Sequence, residues 1–318
     1  MFGSYFQVTA ISVLQVCILG AIGYLLVKIN ILNPCSLNAL SRMVIEVTLP
    51  LLIFCQLIRR FSFSLYPDWW IYPLISAGIT LLGLAVGWAF SWFIKGRRHK
   101  AQFIGLVTFQ NSGYLPLALI AALLAPDKLS DMLVYLFLLL LGFNLIMFSL
   151  GVYLLTAEKE SKFKPATLLN PTVIATLISL ALVYTGLSAV IPDAVLVPLK
   201  AVGDCTIPLA VFVVGASLAQ IKLRHIDKKA MFWMVLAKLI VLPVLGLLLI
   251  LRIKLPELIG LMILIQLAMP PATSLSVVTA NYKKEDLLIS QGIFIGHIVS
   301  IFTIPLFLSL YFILSVIK

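Results

Sequence analysis

Charged residues are scarce in this sequence, and no polar segment is long enough to form a separate soluble domain. Only 11% of the 318 residues are charged, whereas 62% are hydrophobic, and the mean hydropathy is +1.13. A soluble domain usually carries about 25% charged residues. Apolar runs of about 20 residues, the length that crosses a bilayer, recur along the chain. We therefore expect an all-α polytopic membrane protein.

Motifs of catalysis and energy coupling are also missing. The absence of G-x-x-x-x-G-K-[ST] argues against an ATP-driven pump, and the absence of H-E-x-x-H and G-x-S-x-G argues against those classes of membrane enzyme. The four cysteines have no C-x-x-C spacing and are expected to be buried thiols, with no metal or cofactor. The net charge of +11 is scattered over short loops, so it does not indicate nucleic-acid binding.

Ten hydrophobic spans can be recognised in the sequence. They cover residues 5–27, 36–58, 69–94, 101–125, 131–156, 168–188, 194–220, 230–251, 256–280 and 287–315. One set of alternate loops carries fourteen Lys and Arg residues, and the other set with the C-terminus carries six. The positive-inside rule makes the first set of loops cytoplasmic. We therefore expect a multi-pass protein of the cell membrane with both termini on the extracytoplasmic side.

The two halves of the chain resemble each other in sequence. EVTLPLLIF at 46–54 aligns with DCTIPLAVF at 204–212, and Arg42 then aligns with Lys200. Further along, Asn111 aligns with Gln266 and Pro116 with Pro271. Since five helices is an odd number, the two halves would have opposite orientations. Inverted repeats with helices broken near the midplane are typical of secondary transporters.

Two short polar stretches interrupt apolar spans, QNSGYLP at 110–116 and QLAMPPATS at 266–274. Polar side chains at bilayer depth are costly unless they face a cavity or buried protein. Gly113 and Pro116 would break the first helix, and Pro270 with Pro271 would break the second, exposing N–H and C=O groups that can hold an anion or a polar solute. The alternative is a pair of proline kinks packed against neighbours. The predicted solute-binding residues are Asn111, Ser112, Gly113, Pro116, Gln266, Pro270, Pro271, Thr273 and Ser274.

Other polar residues within or beside the spans are candidates for ion coupling, proton coupling or a solute vestibule. They are Gln110, Glu46, Asp204, Lys238, Asn281 and His297. Glu46 and Asp204 each lie four residues after a base, so a structural ion pair is the alternative. For Lys238 we expect pairing with Asp204 first, then contact with solute or with backbone carbonyls. His297 is either a hydrogen-bonded buried residue or a proton relay.

Four stretches together resemble the auxin efflux carrier family: EVTLPLLIF, QNSGYLPLAL, AKLIVLP and MPPATSLSVVTANYKKED. The chain is similar to compact prokaryotic members of the malate or malonate permease type, and more distantly to plant PIN carriers. The resemblance implies ten helices in two inverted five-helix repeats, similar to the bile-acid/sodium symporter fold, with helices 4 and 9 crossing at Pro116 and Pro271. No acid lies beside either interruption, so the resemblance does not extend to sodium coupling.

The resemblance also implies a division into scaffold and transport parts. The first repeat, 1–156, would hold a scaffold part (1–66) and a transport part (67–156). A cytoplasmic linker, 157–167, would lead to the second repeat, 168–318, with a scaffold part (168–222) and a transport part (223–318). A homodimer is the family expectation.

The function expected from these features is secondary transport of a small organic anion such as a mono- or dicarboxylate, and the resemblance to the family implies the direction of efflux. Alternating access by an elevator-type movement is the expected mechanism. The alternatives are a membrane solute sensor or scaffold that binds without transport, and a membrane enzyme. The lipid bilayer and the anion are the expected partners, and we expect neither enzymatic activity nor nucleic-acid binding.

Overall fold

The computed structural model describes residues 2–156, 168–221, 223, 225–253, 255–276 and 287–316, and its regular structure in these ranges is helical. Seven helical stretches are long and apolar enough to cross a membrane. They are Phe2–Lys28, Pro34–Arg60, Ile71–Phe93, Pro126–Leu155, Asp193–Gln220, Lys228–Ile253 and Leu287–Ser315. The architecture fits the all-helical, polytopic membrane protein expected from the composition.

The α-helices of the described residues are numbered in chain order. They are α1 (Phe2–Lys28), α2 (Pro34–Met43), α3 (Leu49–Arg60), α4 (Ile71–Phe90), α5 (Arg97–Thr108), α6 (Tyr114–Leu123), α7 (Pro126–Ile146), α8 (Val152–Thr156), α9 (Pro171–Tyr184), α10 (Asp193–Asp204), α11 (Thr206–Gln220), α12 (Lys228–Val235), α13 (Leu242–Ile253), α14 (Glu257–Ala268) and α15 (Leu287–Val316).

The boundaries of two predicted spans differ from the observed helices. The span predicted at 131–156 begins earlier, because Pro126 occupies the first turn of α7, where its missing N–H costs nothing. The span predicted at 168–188 is shorter, because α9 ends at Tyr184 and Gly186 adopts a φ of +76°. Glycine takes this left-handed conformation without strain and commonly ends a helix. The predicted linker at 157–167 lies outside the described residues.

Three long helices of the described residues contain a wider, π-helical turn; the turn at Met147–Gly151 carries no ionisable residue, and the other two carry one each. Val44–Thr48 joins α2 to α3 and contains Glu46, and Leu236–Val241 joins α12 to α13 and contains Lys238. Proline lies two residues after each of these two turns, at Pro50 and Pro243. Proline cannot donate a backbone hydrogen bond and its ring crowds the preceding turn, so the helix has to widen there. Single π-helical turns are often found at functional sites.

The packing of α1 against α11 depends on glycine. A Cβ atom at Gly215 would collide with the carbonyl oxygen of Gly20, and one at Gly23 would collide with the backbone of Phe212. The two helix backbones can therefore approach closely only because these positions have no side chain. This pair of helices forms one wall of the cavity described below.

Contacts between the helices fall into two groups. In the first group, α1 packs on α11, and α3 packs on α9 and α10. In the second group, α4 packs on α5 and α7, α13 packs on α14, and α15 packs on α5, α12 and α14. The groups meet where α1 contacts α6 and α15, and where α3 and α9 contact α7.

Candidate solute site at the helix interruptions

Both predicted helix interruptions are present in the structure. The first, residues 109–113, separates α5 from α6, and the second, residues 269–273, follows the end of α14. Pro116 lies in the first turn of α6, where proline is tolerated, and Pro270 and Pro271 lie inside the second interruption. Each interruption therefore leaves backbone groups without intrahelical partners deep inside the protein.

The two interruptions lie in direct contact and satisfy each other's backbone groups. The Asn111 N–H donates to the Pro270 carbonyl oxygen at 2.8 Å, and the Ala272 N–H donates to the Phe109 carbonyl oxygen at 2.9 Å. Gln110 and Pro271 thus form one antiparallel β-bridge. Because non-helical backbone is costly at membrane depth, this pairing explains how both helices can be interrupted in the protein interior.

Side chains at the crossing are buried, but their hydrogen bonding is incomplete. Gln266 Nε2 donates to the Ser112 carbonyl oxygen at 3.1 Å, and Asn111 Oδ1 accepts from the Leu115 N–H at 3.4 Å. Within the described part of the chain, several buried atoms find no partner: both amide atoms of Gln110, Asn111 Nδ2, Ser112 Oγ and Gln266 Oε1. Buried polar atoms are normally paired, so this cluster can accept a polar ligand or water.

The remaining predicted binding residues surround the same crossing. Pro116, Pro270 and Pro271 are buried, whereas Gly113, Thr273 and Ser274 are half-buried. Asn281 lies outside the described residues. The polar groups of Gln110, Asn111 and Gln266 are all but inaccessible to solvent, with exposures of 0%, 5% and 0%. A solute could reach them only after a change in the packing around the crossing.

The predicted pairing of Lys238 with Asp204 is wrong. Lys238 is 1% exposed, and its Nζ donates to the Val107 carbonyl oxygen at 2.9 Å. Val107 lies in the last turn of α5, beside the first interruption. Asp204 instead accepts from Lys200 at 2.6 Å on its own helix. The contact with a backbone carbonyl, one of the alternatives for Lys238, is the one that forms.

The acidic candidates lie away from the crossing, on the surface of the monomer. Glu46 pairs with Arg42 at 2.9 Å, and the side chains of Glu46 and Asp204 are 45% and 51% exposed. Both acids therefore form the structural i,i+4 ion pair that was the alternative reading. A role for them in ion coupling stays a prediction.

A cavity of about 560 Å³ adjoins the crossing, at the boundary between the two groups of helices. Its walls come from α1 and α11 on one side and from α6, Met269 and α15 on the other. The lining is almost entirely apolar, with Cys17, Tyr24, His297 and Ser300 as its polar residues. The volume is within the range of small-molecule sites.

His297 lines this cavity and has one ring nitrogen without a partner. Its Nδ1 lies 2.7 Å from the Ile293 carbonyl oxygen, and its Nε2 is buried with no hydrogen bond among the described residues. A proton on Nδ1 satisfies that contact and leaves Nε2 as an acceptor. The hydrogen-bonded reading of His297 is thus observed for one nitrogen only, and a proton-relay role stays a prediction.

Sequence reasoning missed the contribution of α1 and α11 to this cavity. Val13, Val16 and Val211 line it, yet they look like any lipid-facing or core residue in an apolar span. The one usable signal was glycine, since Gly20 and Gly215 both line the cavity and allow α1 and α11 to approach.

A comparison with known families identifies the class of protein. A family model described as "Membrane transport protein" matches residues 8–167 and 160–308, which together span most of the chain. The chain therefore belongs to this family, and its resemblance to the auxin efflux carriers is confirmed. It is a multi-pass membrane protein of a transporter family. A search among curated proteins finds no match for the sequence.

Proposed function

We propose that the protein is a secondary transporter that moves a small organic anion, a mono- or dicarboxylate, in the direction of efflux. The observation that carries this proposal is the charge of the interior. Among the described residues, the buried set contains Lys238 and no carboxylate. The crossing adds unpaired donors at Asn111, Ser112 and Gln110. A positively charged interior with free donors suits an anion and disfavours a cation.

The start of α6 supports an anion at the same place. This helix begins at Tyr114, directly after the first interruption, and is ten residues long. The N-terminal end of a helix carries partial positive charge, and its first N–H groups have no intrahelical partners. An anion near Asn111 and Ser112 would be stabilised by that helix end as well as by the side-chain donors.

We propose that the chain forms ten membrane-spanning segments in two inverted five-helix repeats. The seven long helices, the two interrupted helices and the shorter α9 together supply ten segments. The aligned pairs Arg42–Glu46 and Lys200–Asp204 form the same i,i+4 contact in both halves, which supports the repeat. The scaffold parts would be 1–66 and 168–222, and the transport parts 67–156 and 223–318.

The position of the cavity supports alternating access between these parts. It lies between α1 and α11, in the proposed scaffold, and α6, Met269 and α15, in the proposed transport part. Most of its lining residues lie in the C-terminal halves of α1 and α11 and the N-terminal half of α15, the ends that loop charges assign to the cytoplasm. We infer that the structure is in an inward-facing state with both termini outside.

Flux of radiolabelled anions in proteoliposomes tests this function. A panel of dicarboxylates and aromatic monocarboxylates would be offered to the wild-type protein, to Asn111→Ala and to Pro116→Ala. A hydrogen bond to a charged group is worth about 1.5–3 kcal/mol, so Asn111→Ala should reduce transport roughly tenfold to a hundredfold. The matched controls are Asn38→Ala and Pro67→Ala, which change exposed residues.

The outcomes separate the transporter from its alternative. Wild-type flux in both Asn111→Ala and Pro116→Ala would reject the crossing as the solute site. Binding of a panel anion in detergent without any flux in liposomes would reject transport and support a membrane sensor or scaffold.

We also propose a homodimer in which a second copy covers the exposed ion pairs. Glu46 and Asp204 lie within about one helical turn of the middle of their spans, where charge facing lipid is costly. Cys205 and Cys35 are exposed in the monomer, contrary to the expectation of buried thiols. Because Cys205 lies beside Asp204, a short bis-maleimide should cross-link a variant that keeps only this cysteine. A Leu248→Cys variant without the native cysteines is the control, since Leu248 is 60% exposed on α13. Absence of a Cys205 cross-link in liposomes would reject this interface.

A further inference from the structure

Lys238 occupies an unusual position for a buried lysine. It lies in the π-helical turn Leu236–Val241, and the surrounding residues 236–243 are otherwise apolar or proline. Among the described residues, its side chain forms one hydrogen bond, from Nζ to the Val107 carbonyl oxygen at 2.9 Å. No carboxylate pairs with it within the described ranges, where the ion pairs involve other bases. The partner of this cation is therefore a helix end.

The helix end that meets Lys238 is the carbonyl end of α5. This helix has 12 residues and stops at Thr108, and its final carbonyl groups have no intrahelical N–H partners. Aligned peptide dipoles give such an end partial negative charge, which stabilises a nearby cation. In its protonated form, Lys238 places a positive charge at the end of α5, where the interruption of the helix leaves partial negative charge.

In carriers with interrupted helices, unwound carbonyls and the C-terminal ends of half-helices are the groups that hold a coupling cation. In this protein the ammonium group of Lys238 already fills that position. A second monovalent cation on the same carbonyls would lie within a few ångströms of Nζ, and like charges repel strongly in a medium of low dielectric constant.

We propose that Lys238 is a resident cation, fixed to the protein, that takes the place of an alkali co-ion at the crossing. Its charge holds the carbonyl end of α5 in place and stays with the protein throughout the transport cycle. Anion movement is accordingly independent of sodium and potassium. This inference rests on the proposed transport function for its flux predictions only, because its effect on the folded protein can be measured without a solute.

The first experiment measures thermal unfolding of the purified protein in detergent. Sodium, potassium and choline chloride are compared at equal ionic strength, with and without n-propylammonium. The wild type should unfold at the same temperature in all three salts. Lys238→Ala should unfold at a lower temperature, and sodium or n-propylammonium should restore part of the loss, because either cation can enter the space that the side chain leaves.

Two further variants keep this test decisive. Lys238→Met retains most of the side-chain length without the charge, so it should be destabilised and should respond to neither cation. Lys128→Met removes a half-exposed lysine whose Nζ lies 3.7 Å from Glu257 Oε1, and it should behave as the wild type. If Lys238→Ala is destabilised and neither cation raises its unfolding temperature, the proposal is overturned. The loss of stability would then be explained by the lost side-chain contact alone, without a cation site.

The second experiment measures anion flux in proteoliposomes in the same three salts. The wild type should transport equally in each, whereas a dependence on sodium of twofold or more would overturn the proposal. Lys238→Ala should lose most flux in choline and regain part of it in sodium or n-propylammonium. If the wild type moves no anion of the panel, the proposed function fails, and the unfolding experiment still decides the role of Lys238.

Discussion

Charge is handled in two different ways inside the spans of this protein. At the surface of the monomer, Arg42 and Glu46 neutralise each other within one helix, as do Lys200 and Asp204. In the interior, Lys238 has no acidic partner among the described residues and relies on the Val107 carbonyl oxygen. The first arrangement is neutralised within its own helix, so it does not depend on the crossing.

The second arrangement is informative because it depends on the tertiary structure. Lys238 donates its hydrogen bond to the last turn of α5, and this turn is a helix end only because residues 109–113 are not helical. That interruption in turn needs the second one, through the hydrogen bonds of Asn111 and Ala272. The buried charge and the crossing are therefore parts of one site, whereas each surface pair is complete by itself.

Reversing the buried charge should have the largest effect. Lys238→Glu would place a carboxylate against the carbonyl end of α5, where dipole and charge repel. Leaving an uncompensated buried charge costs about 3–5 kcal/mol, so we expect little or no folded protein. The measurement is the yield of monodisperse protein by fluorescence-detected size-exclusion chromatography. Lys200→Glu, on the exposed face, is the control and should still give folded protein, although it places two acids four residues apart.

Replacing a polar residue of the crossing should affect function more than stability. Gln266→Leu removes an amide whose Oε1 is buried without a partner among the described residues, and it also removes the 3.1 Å bond to the Ser112 carbonyl oxygen. The loss of one hydrogen bond costs about 1 kcal/mol, and it is offset because the variant no longer buries the unpaired Oε1 atom. We expect an unfolding temperature close to that of the wild type and a clear loss of anion flux. Unchanged flux would remove Gln266 from the solute site.

The interruptions could be predicted from the sequence because polar and helix-breaking residues are unfavourable where a helix faces lipid. Asn111, Gln266 and the prolines 116 and 271 are polar or helix-breaking residues in apolar runs, and such residues must be buried in protein. The alignment between the halves then indicated that both interruptions belong together. Hydropathy and loop charge are local properties of the sequence, so the membrane class and most helix positions followed as well.

The partner of Lys238 could not be predicted in the same way. Every residue has a carbonyl group, so Val107 carries no mark in the sequence, while Asp204 is visible as an acid at membrane depth. The cavity was missed for a related reason. Val13 and Val211 line it, but an apolar side chain looks the same whether it faces lipid, core or cavity. Such features depend on which helices meet, and that is decided by the tertiary packing.

The smallest effect is expected when a surface pair is removed as a unit. Lys200→Leu alone leaves Asp204 without its partner near the middle of a span and should lower the unfolding temperature measurably. The double variant Lys200→Leu with Asp204→Leu removes both charges, and it should return to within roughly 1 kcal/mol of the wild type, because replacing a paired acid and base away from water by apolar residues is often neutral or stabilising. A complete double-mutant cycle by thermal unfolding in detergent provides the measurement. If the double variant were less stable than Lys200→Leu alone, the pair would depend on contacts beyond its own helix, and the distinction between charge neutralised within one helix and charge neutralised by tertiary contacts would fail.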